Sequence, residues 1–407
     1  MTAPFALPPP GGGGSGGKRA VVTLAACFLA LLVGGGARLA IGLAFRPMVD
    51  EFGWTRGALG SAVALYMVIS AGATFVAGRM ADRISPRVLL IGGTIIGGAG
   101  IALMSLVAQP WHALTLYGVI FAVGNGAASL VVVGVIVMRA YPGRAGLANA
   151  VAVSGMSVGQ LVMIAMLAAV LVAIGWRAVF VWIGAAHLVL LPLLFALPAE
   201  GIAARPTAAT AQGLSLRAAA RTRQFWLLIA IYAICGMDDF FVTTHVAAFA
   251  QDRGLGALLA GNLLALMGLT GLAGVIASGF ASDRLGPAWP TAASFAARIL
   301  VFGGIAIDQS PLSIALFALV FGATFLITAP LTVVFVRESF GMRHLGALAG
   351  LITMVHQIFG GVGAYFGAAI FDATGGYEAA FVTMLISAVV ALALTLMLRR
   401  NAVMTKM

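Results

Sequence analysis

Six ionisable residues stand inside long apolar runs of this sequence: Arg38, Asp238, Asp239, His245, Arg298 and His356. A charged side chain in the middle of hydrocarbon costs at least about 2.5 kcal/mol, so each of these groups needs a partner or a function. Arginine recognises carboxylates, and histidine changes its charge near physiological pH. The residue types therefore predict a site that binds a small anion and handles a proton.

The spacing of the acidic residues constrains how they are used. Asp238 and His245 are seven residues apart, which is two helical turns, so we expect them to face the same way. Asp239 points about 100° away from Asp238. The two arginines and two aspartates sum to zero charge, and an anion that arrives with one proton keeps that sum. A purely structural ion pair between Arg38 and an aspartate is the alternative interpretation.

The elements that carry these residues are transmembrane helices. Hydrophobic residues make up 62% of the 407 residues and charged residues only 9%, against roughly 25% charged in soluble domains. Apolar segments fall near 21–48, 57–79, 87–108, 111–138, 146–173, 177–197, 224–250, 257–281, 288–307, 311–336, 345–371 and 377–398. Because a spanning backbone must satisfy its own hydrogen bonds, these segments predict an all-α membrane protein with twelve transmembrane helices.

The basic residues predict the orientation. Of the 23, seventeen lie in one set of loops, four in the opposite set, and Arg38 and Arg298 lie within spans. By the positive-inside rule we expect a multi-pass inner-membrane protein with both termini cytoplasmic, and the net charge of +11 then does not indicate nucleic-acid binding. The expected parts are a disordered cytoplasmic tail over 1–17, six-helix bundles over 18–198 and 224–400, a cytoplasmic linker over 199–223 and a second tail over 401–407.

An internal repeat relates the two bundles. Gly78-x-x-x-Asp82-Arg83 recurs as Gly279-x-x-x-Asp283-Arg284, an offset of 201 residues, and Arg139-x-x-x-Gly143 recurs as Arg337-x-x-x-Gly341 at an offset of 198. Parallel six-helix repeats are the layout of the major facilitator superfamily, which the chain resembles after its tail. Residues 78–87 are similar to the superfamily's loop signature between the second and third helices. That resemblance implies a gating role for Asp82, Arg83, Arg87, Asp283 and Arg284; the alternative is that these charges only set the topology.

Two further segments are similar to bacterial monocarboxylate transporters and oxalate/formate exchangers. They are the stretch 38–56 and the surroundings of His356-Gln357 with Gly360-Gly361 and Asp372-x-Thr374-Gly375-Gly376-Tyr377. The resemblance implies a small carboxylate as substrate. The chain departs from those relatives in having no arginine within its eighth span and His356 where the exchangers have a lysine.

The candidate site residues follow from these patterns. As substrate-binding residues we expect Arg38, Asn125, His245, Arg298, Thr324, His356 and Gln357, and as proton-coupling residues Asp238 and Asp239. Structural roles remain open for Arg298, on the usually peripheral ninth helix, and for His356, which can hydrogen-bond a neighbouring helix. Asn125 and Thr324 can equally bond their own backbone or a neighbour.

The function predicted is secondary active transport of a small, monocarboxylate-like organic anion by alternating access, coupled to protons. A proton-driven exporter of drugs or amphipaths is the alternative, although residues 155–169 lack the proline typical of many exporters. An intramembrane enzyme or a channel is disfavoured, since no HExxH or nucleotide-binding loop occurs and the membrane charges are of mixed sign. A receptor role stays open. We expect a monomer in lipid with no cofactor, and Cys27 and Cys235 suggest no metal site.

Overall fold

The computed structural model describes residues 15–54, 56–197, 213–255 and 257–404. Within them, twelve helices are long and apolar enough to cross a membrane, which confirms the predicted all-α fold. The helices of the first half are α1 (Ser15–Phe52), α2 (Arg56–Ala81), α3 (Pro86–Leu103), α4 (Pro110–Ala140), α5 (Ala145–Val158, continued by Gly159–Met163 and Ile164–Ile174) and α6 (Trp176–Phe195). Those of the second half are α7 (Arg223–Asp252), α8 (Ala257–Leu285), α9 (Ala288–Ile307), α10 (Pro311–Phe325 and Thr328–Phe340), α11 (Leu345–Thr374) and α12 (Glu378–Met404).

The first and last helices are slightly longer than predicted, and the end of the linker is partly helical. Residues 1–14, 198–212 and 405–407, which hold most of the predicted tails and linker, lie outside the described residues. The first helix already begins at Ser15, and the last continues to Met404, beyond the predicted boundary at 400. Before α7 the linker forms a short helical turn, and the Leu214 N–H donates a hydrogen bond to the Phe340 carbonyl (2.8 Å). This bond attaches the end of the linker to the second half.

Two helices are interrupted at related positions in the middle of the bilayer. The fourth breaks at residues 128–129 and the tenth at residues 326–327, which preserves the repeat offset of 198. Pro330 explains the break in α10, because it has no N–H to donate to the Leu326 carbonyl four residues earlier. Each break starts a new half-helix, at Leu130 and Thr328. A new helix N-terminus is thereby placed near the centre of each half.

Close backbone contacts between glycines hold the two halves together. A Cβ added to Gly78 of α2 would lie 2.2 Å from the Gly346 carbonyl oxygen of α11. The related pair joins Gly279 of α8 to α5, where an added Cβ would lie 2.7 Å from the Gly146 carbonyl oxygen. In lipid such small-residue contacts drive helix association, since apolar side chains gain little by leaving a lipid for a protein neighbour. Both contacts lie at the end of the molecule that carries most of the basic loops, called the basic end below.

Candidate functional site

A cavity with an empty volume of about 830 Å³, including the space at its mouth, lies between the two halves. Helices α1, α4, α5, α7, α10 and α11 line it. Its polar wall groups come from both halves: Arg38, Gln160, Tyr232, Asp239, Thr328, Thr332, Thr353, His356 and Gln357. Leu130 and Thr328, the first residues of the two half-helices, are also part of the wall. The interrupted helices therefore border this central cavity.

Arg38 is the cation of the first half in this cavity. The Tyr117 hydroxyl donates a hydrogen bond to the Arg38 carbonyl oxygen (2.8 Å) and so ties α1 to α4 at this level. Among the residues that the structure describes, no carboxylate forms an ion pair with the Arg38 guanidinium. The alternative interpretation, a structural pair between Arg38 and an aspartate, is thus not seen among these residues, and the guanidinium faces the cavity.

Arg298 of α9 pairs with both aspartates. It is completely buried, with Nη2 2.6 Å from Asp239 Oδ1 and Nη1 3.8 Å from Asp238 Oδ2. Its Nε donates to Thr324 Oγ1 (3.1 Å), and its guanidinium carbon lies 4.8 Å from the centre of the Phe321 ring. One cation thus compensates two carboxylates in a site without water contact, where an unpaired carboxylate would be very costly.

The other contacts of the two aspartates point in different directions, as their adjacent positions on one helix predict. Asp238 accepts a hydrogen bond from the Ser387 hydroxyl of α12 (2.7 Å). Asp239 Oδ2 lies 3.2 Å from Nε2 of His356, which reaches it from α11. A Cβ on Gly236 would lie 2.0 Å from the His356 carbonyl oxygen, so only glycine at 236 lets the two helices come this close. Because Asp239 and His356 both line the central cavity, the buried ionic cluster is exposed to it at this one corner.

Three predicted substrate residues line neither the central cavity nor the second cavity described below. His245 Nδ1 lies 3.2 Å from the Tyr377 hydroxyl, and its Nε2 lies 2.8 Å from the Ala364 carbonyl oxygen. Both contacts lie away from the partners of Asp238. Seven residues on one helix share a face, but Asp238 turns toward α9 and α12 while His245 turns toward α11. Arg298 and Thr324 are buried behind Asp239. In this structure the three side chains support the site or the fold and do not line the cavity, and their role in binding substrate stays a prediction.

Asn125 lines a second cavity, called the side chamber below, with an empty volume of about 540 Å³ inside the first half. The Tyr66 hydroxyl donates to Asn125 Oδ1 (2.9 Å). Arg38 and Gln357 line both the side chamber and the central cavity, so the two spaces adjoin. The predicted Asn125, Gln357 and Arg38 are thus brought together.

Two residues at the site, Thr353 in the cavity wall and the buried Cys235 behind it, were not among the predicted site residues. Thr353 stands three residues before His356 on α11, a spacing that places both on one helical face. Cys235 stands four residues before Asp239, and its thiol lies 3.5 Å from Asp239 Oδ2. Helical spacing around each charged residue was the available signal for both.

At the basic end, each predicted gating aspartate crosses to the other half. Asp82 accepts hydrogen bonds from the backbone N–H groups of Gly346 and Ala347, both at 2.8 Å. Asp283 accepts from Gly146 (2.8 Å) and Leu147 (2.9 Å). The acceptors thus cap the N-termini of α11 and α5, whose first N–H groups lack partners within the helix and whose dipoles favour an anion.

The predicted gating arginines do not make matching contacts. Arg87 donates to the Phe195 carbonyl of its own half, and Arg284 stacks on Phe280 of its own helix (3.9 Å to the ring centre). Arg83 is exposed, and it only lowers the pKa of Asp82 through its charge. Instead Arg337 crosses between halves and donates to the Pro142 carbonyl (3.0 Å). A gating role for Arg83, Arg87 and Arg284 therefore stays a prediction without a contact between the halves to support it.

Burial between the halves changes the electrostatics of the Asp82 cap. Burial raises the pKa of the Asp82 carboxyl from 3.8 to about 6, although the two N–H donors and the nearby Arg139 and Arg83 act to lower it. Loss of water around the carboxylate therefore outweighs the hydrogen bonds it gains. The contact at Asp82 is consequently sensitive to pH near neutrality.

Comparison with known proteins agrees with this architecture. The chain is 25% identical over 348 residues to an uncharacterized MFS-type transporter, YcxA, of Bacillus subtilis, covering 81% of this chain and 83% of that protein. It is 23% identical over 221 residues to the oxalate:formate antiporter of Oxalobacter formigenes, about half of each chain. The E. coli fucose:proton symporter FucP superposes with a TM-score of 0.73 over 93% of this chain and 99% of that one, at 16% identity.

The family assignment rests on the length of the match as well as on the fold. The family model described as Major Facilitator Superfamily matches residues 26–363, which run from the first helix into the eleventh. With the twelve helices, the repeat and the cavity between the halves, this match makes the chain a multi-pass membrane transporter that belongs to the major facilitator superfamily.

Proposed function

We propose that this protein is a secondary active transporter that carries a small organic monocarboxylate together with a proton across the inner membrane, with both termini in the cytoplasm. The observation that supports this most directly is the unpaired Arg38 guanidinium, which faces an ionic cluster across the central cavity. Arginine is well suited to a carboxylate because its planar fork matches the two oxygens. A single available cation suits a ligand with a single negative charge.

The charge balance of the cavity supports coupling to a proton. With His356 neutral, Arg298 and the two aspartates carry one net negative charge, which balances Arg38 on the opposite wall. A bound monoanion would leave this region with an uncompensated negative charge, which is costly at this depth. One proton shared by His356 and Asp239, which lie 3.2 Å apart, restores neutrality. Anion binding and proton binding therefore favour each other, as symport requires.

The interrupted helices add to the attraction for an anion. The half-helices that begin at Leu130 and Thr328 place their positive N-terminal ends at the cavity wall. Transporters use such broken helices at mid-membrane to bind anionic groups of substrates. The partial likeness to an oxalate:formate antiporter supports an organic anion as the substrate class, at 23% identity over half of the chain.

Alternating access follows from the contacts at the basic end. The Asp82 and Asp283 caps and the glycine pairs hold the halves together there, so the cavity is closed on that side. Neutralisation of the cavity by anion plus proton removes the cost of carrying charge through a closed intermediate. The caps then release, and the halves rock to open the cavity at the basic end.

Transport in proteoliposomes tests this function. We expect uptake of labelled lactate to be driven by an inward proton gradient and to be lost in Arg38→Gln. The His356→Gln and Asp239→Asn variants should keep exchange of substrate but lose accumulation driven by the proton gradient. The control is Arg177→Gln, because Arg177 is exposed and pairs with Glu51 outside the cavity (2.7 Å).

Three outcomes contradict the proposal. Uptake that ignores the proton gradient would remove the coupling. Retention of uptake in Arg38→Gln would remove the anion site, and transport of an uncharged dye in preference to every carboxylate would favour the exporter instead.

A further inference from the structure

The side chamber has a lining that a simple carboxylate does not use. It lies between α1, α2 and α4 and opens beside Arg38. Among the described lining residues, Arg38 is the one cation, and none is a carboxylate. Its other polar walls are neutral hydroxyl and amide groups: Tyr66, Ser70, Thr74, Asn125, Ser129 and Gln357. A charged group of the substrate is therefore satisfied at the mouth, and the chamber itself suits a neutral group that both donates and accepts hydrogen bonds.

The hydrogen bonding of these walls is incomplete. Ser129 Oγ is buried and has no partner. Asn125 Nδ2 has only a long contact to the Gly34 carbonyl oxygen (3.4 Å), and its Oδ1 is used by Tyr66. Buried polar atoms without partners are rare in native proteins, and each one calls for an explanation. A ligand hydroxyl that accepts from the Asn125 amide and donates to Ser129 would satisfy both.

The side chamber continues the space around Arg38 beyond the central cavity. The two cavities share walls at Gly35, Arg38, Leu130, Met156 and Gln357. A carbon chain whose carboxylate binds Arg38 has room for a hydroxylated tail in the chamber.

We propose that the substrate is a polyhydroxylated monocarboxylate, that is, a sugar acid. This inference rests on the proposed function, since it takes the carboxylate to bind Arg38, and it adds that the hydroxyl groups bind in the side chamber. Sites built to hydrogen-bond a substrate hydroxyl discriminate strongly against analogues that lack it, because their own polar groups are then left unpaired. Gluconate should thus be preferred over hexanoate, which has the same carbon chain without the hydroxyls, by at least about 10²-fold.

Competition against labelled gluconate in proteoliposomes of the full chain tests the inference, with gluconate, hexanoate, lactate and glucose as competitors. We expect gluconate to compete best and glucose, which lacks the carboxylate, not to compete. Ser129→Ala should weaken gluconate by about tenfold and leave lactate unchanged, the usual size for one hydrogen bond left unmade. The matched control is Ser282→Ala, since Ser282 Oγ is also buried and unpartnered but lines neither cavity.

The outcomes separate this inference from the function on which it rests. If hexanoate and lactate compete as well as gluconate, and Arg38→Gln abolishes all of them, the sugar-acid inference is overturned and monocarboxylate transport stands. If Ser129→Ala and Ser282→Ala behave alike, the side chamber is not the hydroxyl site. If no carboxylate is taken up, or Arg38→Gln makes no difference, the proposed function itself fails.

Discussion

Asp82 links the closed contact at the basic end to pH. Its carboxyl is buried between the halves, with its pKa raised from 3.8 to about 6. When the halves separate, the carboxyl returns to water and its pKa falls back toward the ordinary value. The closed conformation therefore binds a proton more tightly than the open one. Acidification through about pH 6 should stabilise closure, and this stabilisation is lost as the pH rises through about 6 again.

The size of the effect follows from these two pKa values. Between about pH 7.5 and about pH 5, the closed conformation gains about 1.4 kcal/mol, or about a tenfold rise in the ratio of closed to open molecules. His344, at the start of α11, acts in the opposite direction, because burial and the charges of Arg343, Arg83 and Arg79 lower its pKa. The measurement is therefore made with His344→Gln in every variant.

Spin labels at exposed positions on the two halves report this equilibrium. Gly143, between α4 and α5, has open space around its Cα, and Leu285 at the end of α8 is 62% exposed. Electron–electron double resonance in nanodiscs should show a short distance whose population rises about tenfold relative to the long one on acidification. Asp82→Asn should abolish that rise, since the amide does not titrate. An unchanged pH response in Asp82→Asn, or a shift toward the open form in acid, would show that Asp82 does not link closure to pH.

Three further predictions concern packing and charge. Arg298→Gln leaves two buried carboxylates without their cation and should lower the stability by about 3–5 kcal/mol, seen as a lower melting temperature in detergent; an unchanged melting temperature would contradict the pairing. Gly363→Ala should reduce transport, because its Cβ would lie 2.1 Å from the Met237 carbonyl oxygen and push α11 from α7, whereas Gly361→Ala meets open space and should be harmless. Asp283→Asn should lower the closed population about tenfold or more in the same distance measurement, since a hydrogen bond to a charged group is worth about 1.5–3 kcal/mol; equal populations would show that its cap adds nothing.

Residue types alone predicted part of the anion site. An arginine and two aspartates in apolar runs predicted a charged site inside the membrane, and the structure brings Arg38, Asp239, His356 and Gln357 to one cavity. The partner of Asp239 was not predicted, and the structure places the Arg298 guanidinium there. A repeat relates corresponding positions in the two bundles, but it does not predict how closely a neighbouring helix such as α9 packs. The long side chain of Arg298 on α9 reaches the Asp239 carboxylate from the side away from the cavity.

The contacts at the basic end were likewise predicted only in part. The paired aspartates of the repeated loop motif predicted two equivalent contacts, and both cap a helix of the other half. Arg87 and Arg284 beside them make their contacts within their own halves. An aspartate can bind a helix start or an arginine, and only the placed helices show which N–H groups these two carboxylates accept from.

What the sequence by itself determined is the set of transmembrane helices, their two-fold repetition and the residues that hydrocarbon does not tolerate without compensation. A bilayer makes these features readable, because every span must be apolar, helical and about 20 residues long. Only the tertiary structure decided which charge neutralises which. That choice depends on helix rotation and approach, set by glycine contacts such as Gly236 against His356, where a single added methyl group would move the two helices apart.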